Sequence, residues 1–473
     1  MSETLVPPVR LGKLPIAALG ILALALGTLQ SVVEPALPLL QSELGVSPAE
    51  GALIANALLV TGAVAAPVAG KLGDRYGGRR VLLRLMAVVS AGGLLAALAP
   101  NLPVLLLGQV LQGVMVGALP LSFVLVRTHL PAGATQVAIG VVVALFTGGS
   151  VVGVLVAGPI AESLSRHWMF GLPTIVIAAS ALAVARLMPD DPPSRPDEGI
   201  DWAGMVLLSG TLLAFMLGLV TVTGTGLSPL AAGAVALAVA ALATGWVAVE
   251  RRAPSPMVDL RVLARPAIWS ACVLTLVITT GAGMVLLLLP YLFAAPADGY
   301  GFGADTTEIG LLLLPGIVAG SVSDSVGGVA ARRFGPRAVV VAGALVTAAT
   351  MLALASLHTA AWQLVLAKVL TAFAAGVATT ALLASTATAV EAGDTGIVTS
   401  LLVVTRVIGV ALGVQLGGAI LTAGTDPATG LPAESAFVTG FVTVGLVTAL
   451  SLLVVRATKN TKNTKNTRKG VQA

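Results

Sequence analysis

Four ionisable residues lie inside long apolar stretches of this sequence, and the chemistry open to them is the handling of protons and ions. Glu34 sits in the outer part of a run over residues 14–40, with Gln30 one turn earlier on the same face. Asp324 falls in the run 307–330, among Gly320, Ser321, Ser323, Ser325 and Gly328, while Lys368 and Arg406 fall in the runs 362–387 and 396–422. A charge buried in hydrocarbon is expensive, so each is a functional candidate by default. Desolvation raises the proton affinity of a buried carboxylate and a nearby cation lowers it. A site poised between these pulls can load and release a proton. Glu34 is the leading carboxylate for a proton or a cationic substrate, and its alternative is an acid that only solvates an outer rim. Asp324 fits either a coupling group or a structural ion pair. Lys368 and Arg406 fit charge balance within a bundle or direct contact with a substrate.

Other chemistries lack their residues. The single cysteine, Cys272, lies in an apolar run, which leaves no disulfide framework and no cysteine metal site. His129, His167 and His358 are scattered without ligand spacing. No G-x-x-x-x-G-K-[ST] loop is present, so ATP is not expected as a partner. No catalytic triad arrangement and no cofactor motif is visible, and enzymatic activity is not expected.

The elements that must position the four charges are helices in a membrane. The chain is 57% hydrophobic and 10% charged with a mean hydropathy of +1.00, against about 25% charged for a soluble domain. Cutting at charged or Gly/Pro-rich breaks leaves fourteen runs long enough to span. They cover residues 14–40, 49–70, 80–98, 103–126, 137–161, 169–188, 202–222, 228–249, 267–293, 307–330, 338–357, 362–387, 396–422 and 436–455. The first has no small-residue cleavage site after a short apolar core, so it reads as a permanent helix. With the N-terminus in the cytoplasm, the cytoplasmic segments hold Arg10, Lys13, the 71–84 cluster, Arg127, Arg186, Arg195, Arg251, Arg252, Arg261, Arg265, Arg332, Arg333, Arg337 and the basic tail from Arg456. The opposite side holds Arg166 together with the acids Glu43, Glu50, Asp298, Asp305, Asp426 and Glu434. This asymmetry places both termini in the cytoplasm, and it makes the net charge of +5 a topology signal and not a nucleic-acid footprint. The tail, with Lys-Asn-Thr three times over 459–467, is too polar to fold alone and lies near anionic lipid.

A dense charged turn, Gly70-Lys71-Leu72-Gly73-Asp74-Arg75-Tyr76-Gly77-Gly78-Arg79-Arg80, separates the second and third runs. It recurs in weaker form as Gly328-x-Ala-Ala-Arg332-Arg333-Phe334-Gly335, 258 residues later. Leu107-Gly-Gln109-Val-Leu111-Gln112 recurs as Leu366-Ala-Lys368-Val-Leu370-Thr371 at an offset of 259, and Ser150-Val-Val-Gly153 as Arg406-Val-Ile-Gly409 at 256. Three matches in order at a near-constant offset indicate two duplicated six-helix halves. Glycines 70, 73 and 77 allow a tight turn and close helix approach. Gly149, Gly153 and Gly158, with Gly409 and Gly413, suit close packing or rocking of the fifth and thirteenth runs.

The pattern G-x-L-x-D-R-x-G-x-R-R resembles the loop between the second and third helices of the major facilitator superfamily. The six-plus-two-plus-six plan is similar to its fourteen-spanner drug:proton antiporters, as are Asp201-Trp202-Ala-Gly204, Val249-Glu250-Arg251-Arg252 with Pro256-Met257-Val258-Asp259-Leu260, and Leu311-Leu-Leu-Leu-Pro315-Gly316. The resemblance implies an all-α polytopic membrane protein of two six-helix bundles plus two intervening helices. The segments would be an N-terminal stretch 1–13, a bundle 14–188, a linker with two helices 189–266, a bundle 267–455 and a tail 456–473. It further implies a gating latch on the cytoplasmic side, built from Gly70, Gly73, Asp74, Arg75, Gly77, Arg79 and Arg80, with Asp74 the key residue; a plain positive-inside loop is the alternative.

The sequence departs from that family where coupling residues are expected. Gln109 and Gln112 stand in the R-x-x-Q-G pattern, Leu29 stands where an aspartate precedes Ala36-Leu37-Pro38, and Gly153-Val154 replaces Gly-Pro. Lys368, at the repeat position of Gln109, could supply the lost charge. The implied activity is proton-coupled export of lipophilic drugs or metabolites by alternating access, in a bacterial inner membrane, by a chain working as a monomer. The implied partners are a small lipophilic substrate, protons and membrane lipid. A metabolite or lipid permease with different or no proton coupling is the alternative.

Overall fold

The computed structural model describes residues 13–129, 132–191, 202–224, 228–252, 265–387 and 395–470. Among them the regular elements are helices, with one isolated bridge between Thr425 and Pro432. In chain order they are α1 (Lys13–Ser31), α2 (Val33–Leu44), α3 (Pro48–Tyr76), α4 (Gly78–Ala97), α5 (Leu102–Gly113), a 3-10 turn (Val114–Gly117), α6 (Ala118–His129), α7 (Ala132–Ser163) and α8 (Arg166–Leu187). Then follow α9 (Trp202–Gly224), α10 (Pro229–Glu250), α11 (Pro266–Ala294), α12 (Thr306–Phe334), α13 (Pro336–Leu354), α14 (Ala361–Ala387), α15 (Thr395–Ala423) and α16 (Glu434–Gly470). Thirteen spans among the described residues are long and apolar enough to cross a membrane, and at the position of the seventh run α9 offers a shorter apolar stretch, Trp202–Phe215.

Two runs read as continuous are interrupted. The run 14–40 is α1 and α2 with a bend at Val32, although the Val32 N–H still reaches the Thr28 carbonyl at 3.1 Å. The cause is Pro35, which has no N–H to give the Ser31 carbonyl and whose ring crowds it. Gln30 and Glu34 therefore flank a break and do not follow one another on an unbroken face; both are half-buried. The run 103–126 narrows to 3-10 geometry directly after Gln112-Gly113, a local irregularity within a span. The basic tail does not stand alone: α16 carries on through it to Gly470, and adding residues to a formed helix avoids the cost of nucleation that an isolated polar segment faces.

The duplication is visible in the backbone. Ser47 and Glu50 form a reciprocal cap before α3, with the Ser47 N–H donating to Glu50 Oε2 at 2.8 Å and the Glu50 N–H donating to Ser47 Oγ at 3.3 Å. Asp305 and Glu308 form the same box before α12, 258 residues on. Both helices run 29 residues and both stop at a glycine with positive φ, Gly77 at 89° and Gly335 at 81°. The left-handed region is open to glycine without the Cβ clash. Arg75 lies 5.4 Å from the ring centre of Tyr76, and Arg333 lies 5.4 Å from that of Phe334.

Contacts divide the chain into two compact units, one of residues 1–36 and 57–202, the other of residues 37–56 and 203–473. Each contains a closely fitted helix pair at corresponding positions. In the first, α1 packs on α7: a methyl built on Gly27 would overlap the Phe146 carbonyl, one on Gly149 the Leu24 carbonyl, and one on Gly153 the Thr28 carbonyl. The Thr28 hydroxyl reaches the Gly149 carbonyl across this contact at 3.1 Å. In the second, α11 packs on α15, where methyls on Gly283, Gly409 and Gly413 would meet the Val410 carbonyl, the Thr279 hydroxyl and the Thr280 carbonyl. Gly27 and Gly283, like Gly153 and Gly409, are 256 residues apart. Gly158 is buried on α7.

Substituting a packing glycine should therefore be costly where its neighbour cannot move. Gly153→Val or Gly413→Val should lose about 1–3 kcal/mol or more, read as a lowered melting temperature in detergent. Gly148→Ala should leave that temperature unchanged, since nothing lies within 4 Å of a methyl at this position.

Candidate functional site

The charged turn contains a single non-helical residue. Helix α3 continues through Gly70, Gly73 and Asp74 to Tyr76, and α4 starts at Gly78, so only Gly77 makes the turn. The tight-turn role read for Gly70 and Gly73 is thereby corrected: Gly70 faces open space, and Gly73 lets Leu121 approach. The Asp74 side chain lies outside the described residues. Lys71 and Arg75 are half-buried and Arg80 is exposed.

The start of α4 is held by a residue that the motif did not single out. Asp191, just beyond α8 and only 7% exposed, accepts from the Gly78 N–H at 2.5 Å and the Arg79 N–H at 2.9 Å. A carboxylate at this place satisfies two of the orphan N–H groups of the helix and meets the positive end of its dipole. Arg79 pairs with exposed Asp190 and donates to the Ala185 carbonyl at the end of α8. The turn is thus fastened to the C-terminal end of α8 within the first unit. The sequence signal was the pair Asp190-Asp191 in a Pro/Asp-rich stretch, legible as a break in the apolar pattern and not as a cap.

The other candidates separate by unit. Gln109 and Gln112, on α5, are fully buried in the first. Gln112 Nε2 donates to the Gly92 carbonyl at 3.4 Å, whereas neither polar atom of the Gln109 amide has a hydrogen-bond partner among the described residues. Lys368 and Arg406 belong to the second. They line one cavity of about 310 Å³ between α11, α12, α14 and α15. Lys368 is 8% exposed and Arg406 is exposed. The Asp324 backbone belongs to α12, which forms one wall, and its side chain lies outside the described residues.

A polar clasp missed at the sequence level also lies in the second unit, where the start of α3 packs on α15. Asn56, 1% exposed, donates from Nδ2 to the Ala411 carbonyl at 3.0 Å and to Gln415 Oε1 at 3.1 Å. Gln415 Nε2 donates to the Ala49 carbonyl at 3.0 Å, and the Ala49 N–H donates to Thr422 Oγ1 at 2.9 Å. Gly418 brings the helices together: a methyl there would sit 3.0 Å from Ala52 Cβ and 2.8 Å from the Pro48 carbonyl. Asn and Gln inside apolar spans, at 56 and 415, were the available signal. His358, in the connection between α13 and α14, meets Glu434 Oε1 at the start of α16 through Nε2 at 2.9 Å. Burial, and then the Glu434 charge, push the Tyr300 phenol up from its ordinary value.

Removing the Asp191 carboxylate should loosen the turn. Asp191→Ala should cost about 1–2 kcal/mol locally and speed amide exchange at Gly78 and Arg79. Asp190→Ala, which removes only an exposed partner of the Arg79 side chain, should leave both amides protected.

The Major Facilitator Superfamily sequence profile matches residues 19–323 and 271–472. An uncharacterized MFS-type transporter of Mycobacterium tuberculosis is 29% identical over 445 residues, which is 92% of this chain and 62% of that protein. The tetracenomycin C resistance and export protein of Streptomyces glaucescens is 29% identical over 345 residues, 72% of this chain and 62% of its own length. The chain thus spans 62% of the length of these two relatives. In fold it is similar to a crystal structure of the nucleoside transporter NupG, with a TM-score of 0.69 at 11% identity, over 94% of this chain and 99% of that one.

Proposed function

Because the chain belongs to the major facilitator superfamily, we propose that it is a secondary active transporter of a bacterial plasma membrane that exports lipophilic drugs or metabolites in exchange for protons. The observation that carries this reading is its similarity to a tetracenomycin C resistance and export protein over 72% of its length. Both termini face the cytoplasm, the two six-helix halves flank the pair α9 and α10, and Glu34 is the proton-carrying carboxylate beside the Pro35 break. The neutral Gln109 favours a second reading, a permease of the same fold without proton coupling, since a charge is expected at that position by resemblance.

Transport proceeds by alternating access. The clasp of Asn56, Gln415 and Thr422 holds the start of α3 against α15 in one state and parts in the other. Its bonds are amide and hydroxyl bonds, each worth about 1 kcal/mol net, a strength suited to repeated opening. The Asp191 cap keeps the α3–α4 turn attached to α8 throughout, so that the turn moves as part of one rigid body.

Reconstituted vesicles give the primary test. A panel of lipophilic cations, acids and neutral antibiotics should elicit substrate-linked proton flux from the wild type, and Glu34→Gln should abolish it. Substrate movement without proton flux would select the uncoupled permease, and absence of both would remove the transporter reading.

The clasp has its own test. Asn56→Leu, which cannot donate to Ala411 or Gln415, should speed amide exchange at Ala49 and change the transport rate. Unchanged exchange and unchanged transport by the folded variant would overturn the role of this contact.

A further inference from the structure

We propose that the cavity between α11, α12, α14 and α15 is a binding site for acidic lipophilic molecules, ones bearing a carboxylate or similarly acidic group on an apolar frame. The inference deepens the transporter reading and rests on it for its place in a cycle, whereas the binding itself stands on the cavity alone. Its volume of about 310 Å³ is at the lower end for ligand sites and admits a small aromatic acid or one end of a larger molecule.

Two observations set the charge of the ligand. First, the side chains that bring formal charge to the described wall are both cations, Lys368 and Arg406. Each is already engaged by its surroundings, so an incoming anion competes for a cation that is held in position. Second, the hydroxyls on the wall have spent their protons on their own helices. Thr279 donates to the Thr275 carbonyl at 2.7 Å, Ser321 to Ile317 at 3.0 Å, Thr371 to Ala367 at 2.7 Å and Thr379 to Ala375 at 2.9 Å. Their oxygens are left as acceptors. The wall therefore offers N–H donors on cations together with neutral acceptors, and a hydroxylated acid satisfies both kinds. A lipophilic cation finds no anionic side chain among the described residues of the wall.

The position of Lys368 is built into the fold. A methyl at Gly316 would overlap Lys368 Cγ, and the stem of the lysine lies over that glycine. Gly316 follows Pro315 in the Leu311-Leu-Leu-Leu-Pro315-Gly316 stretch, whose role the charge pattern alone did not reveal. It is a positioning residue: it makes room for the aliphatic stem of a lysine that lines the cavity.

The test is equilibrium binding to the purified full chain in detergent, with three fluorescent probes on one hydroxylated frame: 3-hydroxy-2-naphthoate, its methyl ester and (3-hydroxy-2-naphthyl)methylammonium. The wild type should bind the naphthoate at least about ten-fold more tightly than either other probe, the range of a hydrogen bond to a charged group. Lys368→Gln and Arg406→Gln should each weaken the naphthoate about ten-fold with little effect on the ester. Gly316→Val should reduce the preference for naphthoate over ester while Lys368 is retained. Thermal melting confirms that each variant is folded, and Arg406→Lys, which keeps the charge, should keep most of the preference. Should one variant fail to fold, the wild-type ranking of the three probes decides alone. The proposal is overturned if the ammonium probe binds as tightly as the naphthoate, if the naphthoate does not bind, or if folded Lys368→Gln and Arg406→Gln both bind it as the wild type does. Vesicle transport is a separate measurement, so loss of this site and loss of the transporter reading are told apart.

Discussion

Everything in this protein depends on how closely two helix backbones can approach in a solvent that gives them no hydrophobic reason to associate. Lipid is as apolar as the side chains it replaces, so association rests on van der Waals fit and interhelical hydrogen bonds. The chain meets this constraint twice with the same device. Glycines at 27, 149 and 153 bring α1 onto α7, and glycines at 283, 409 and 413 bring α11 onto α15. The Thr28 hydroxyl, bonded to Gly149 across the first contact, becomes possible only at that spacing. The 310 Å³ cavity of the second unit has α11 and α15 as two of its four walls. Its shape is a consequence of where those glycines are.

Much of this was legible in the sequence for a physical reason: membrane helices must satisfy their own backbone, so composition maps directly onto structure. The fourteen apolar runs correspond to helical segments, and the weak repeat proved accurate to the residue in α3 and α12, from capping box to positive-φ glycine. What the sequence concealed were local events that apolarity does not encode. Pro35 splits the first run although no charge interrupts it. The 3-10 turn follows Gln112 in an unbroken apolar stretch. The tail extends a helix because a nucleated helix precedes it.

The candidate residues were legible in kind more than in grouping. Lys368 and Arg406 were singled out separately as intramembrane charges, and the fold places them on one cavity. The loop motif drew attention to Asp74, whereas the carboxylate seen at the start of α4 is Asp191, more than a hundred residues away in sequence. Such a partner cannot be inferred from spacing, since it depends on α8 returning to the same membrane face. Asn56 and Gln415 carry no formal charge, so they do not stand out as intramembrane ions. Yet a buried amide must find partners, and theirs lie across a helix contact.

The duplicated scaffold has been put to unequal use, and one pair of positions explains how. Lys368 corresponds to Gln109 in the first half, and Gly316 corresponds to Leu58 at the offset of 258 that relates α12 to α3. The lysine needs the glycine, because its stem occupies the space that a side chain at 316 would fill. In the first half a buried leucine stands at that place, and the shorter, neutral glutamine stands opposite in sequence register. Placing a lysine at 109 without also shrinking residue 58 would bury a long cation against an apolar side chain, with the desolvation cost unrelieved. In the second half the glycine and the lysine stem therefore act as a pair.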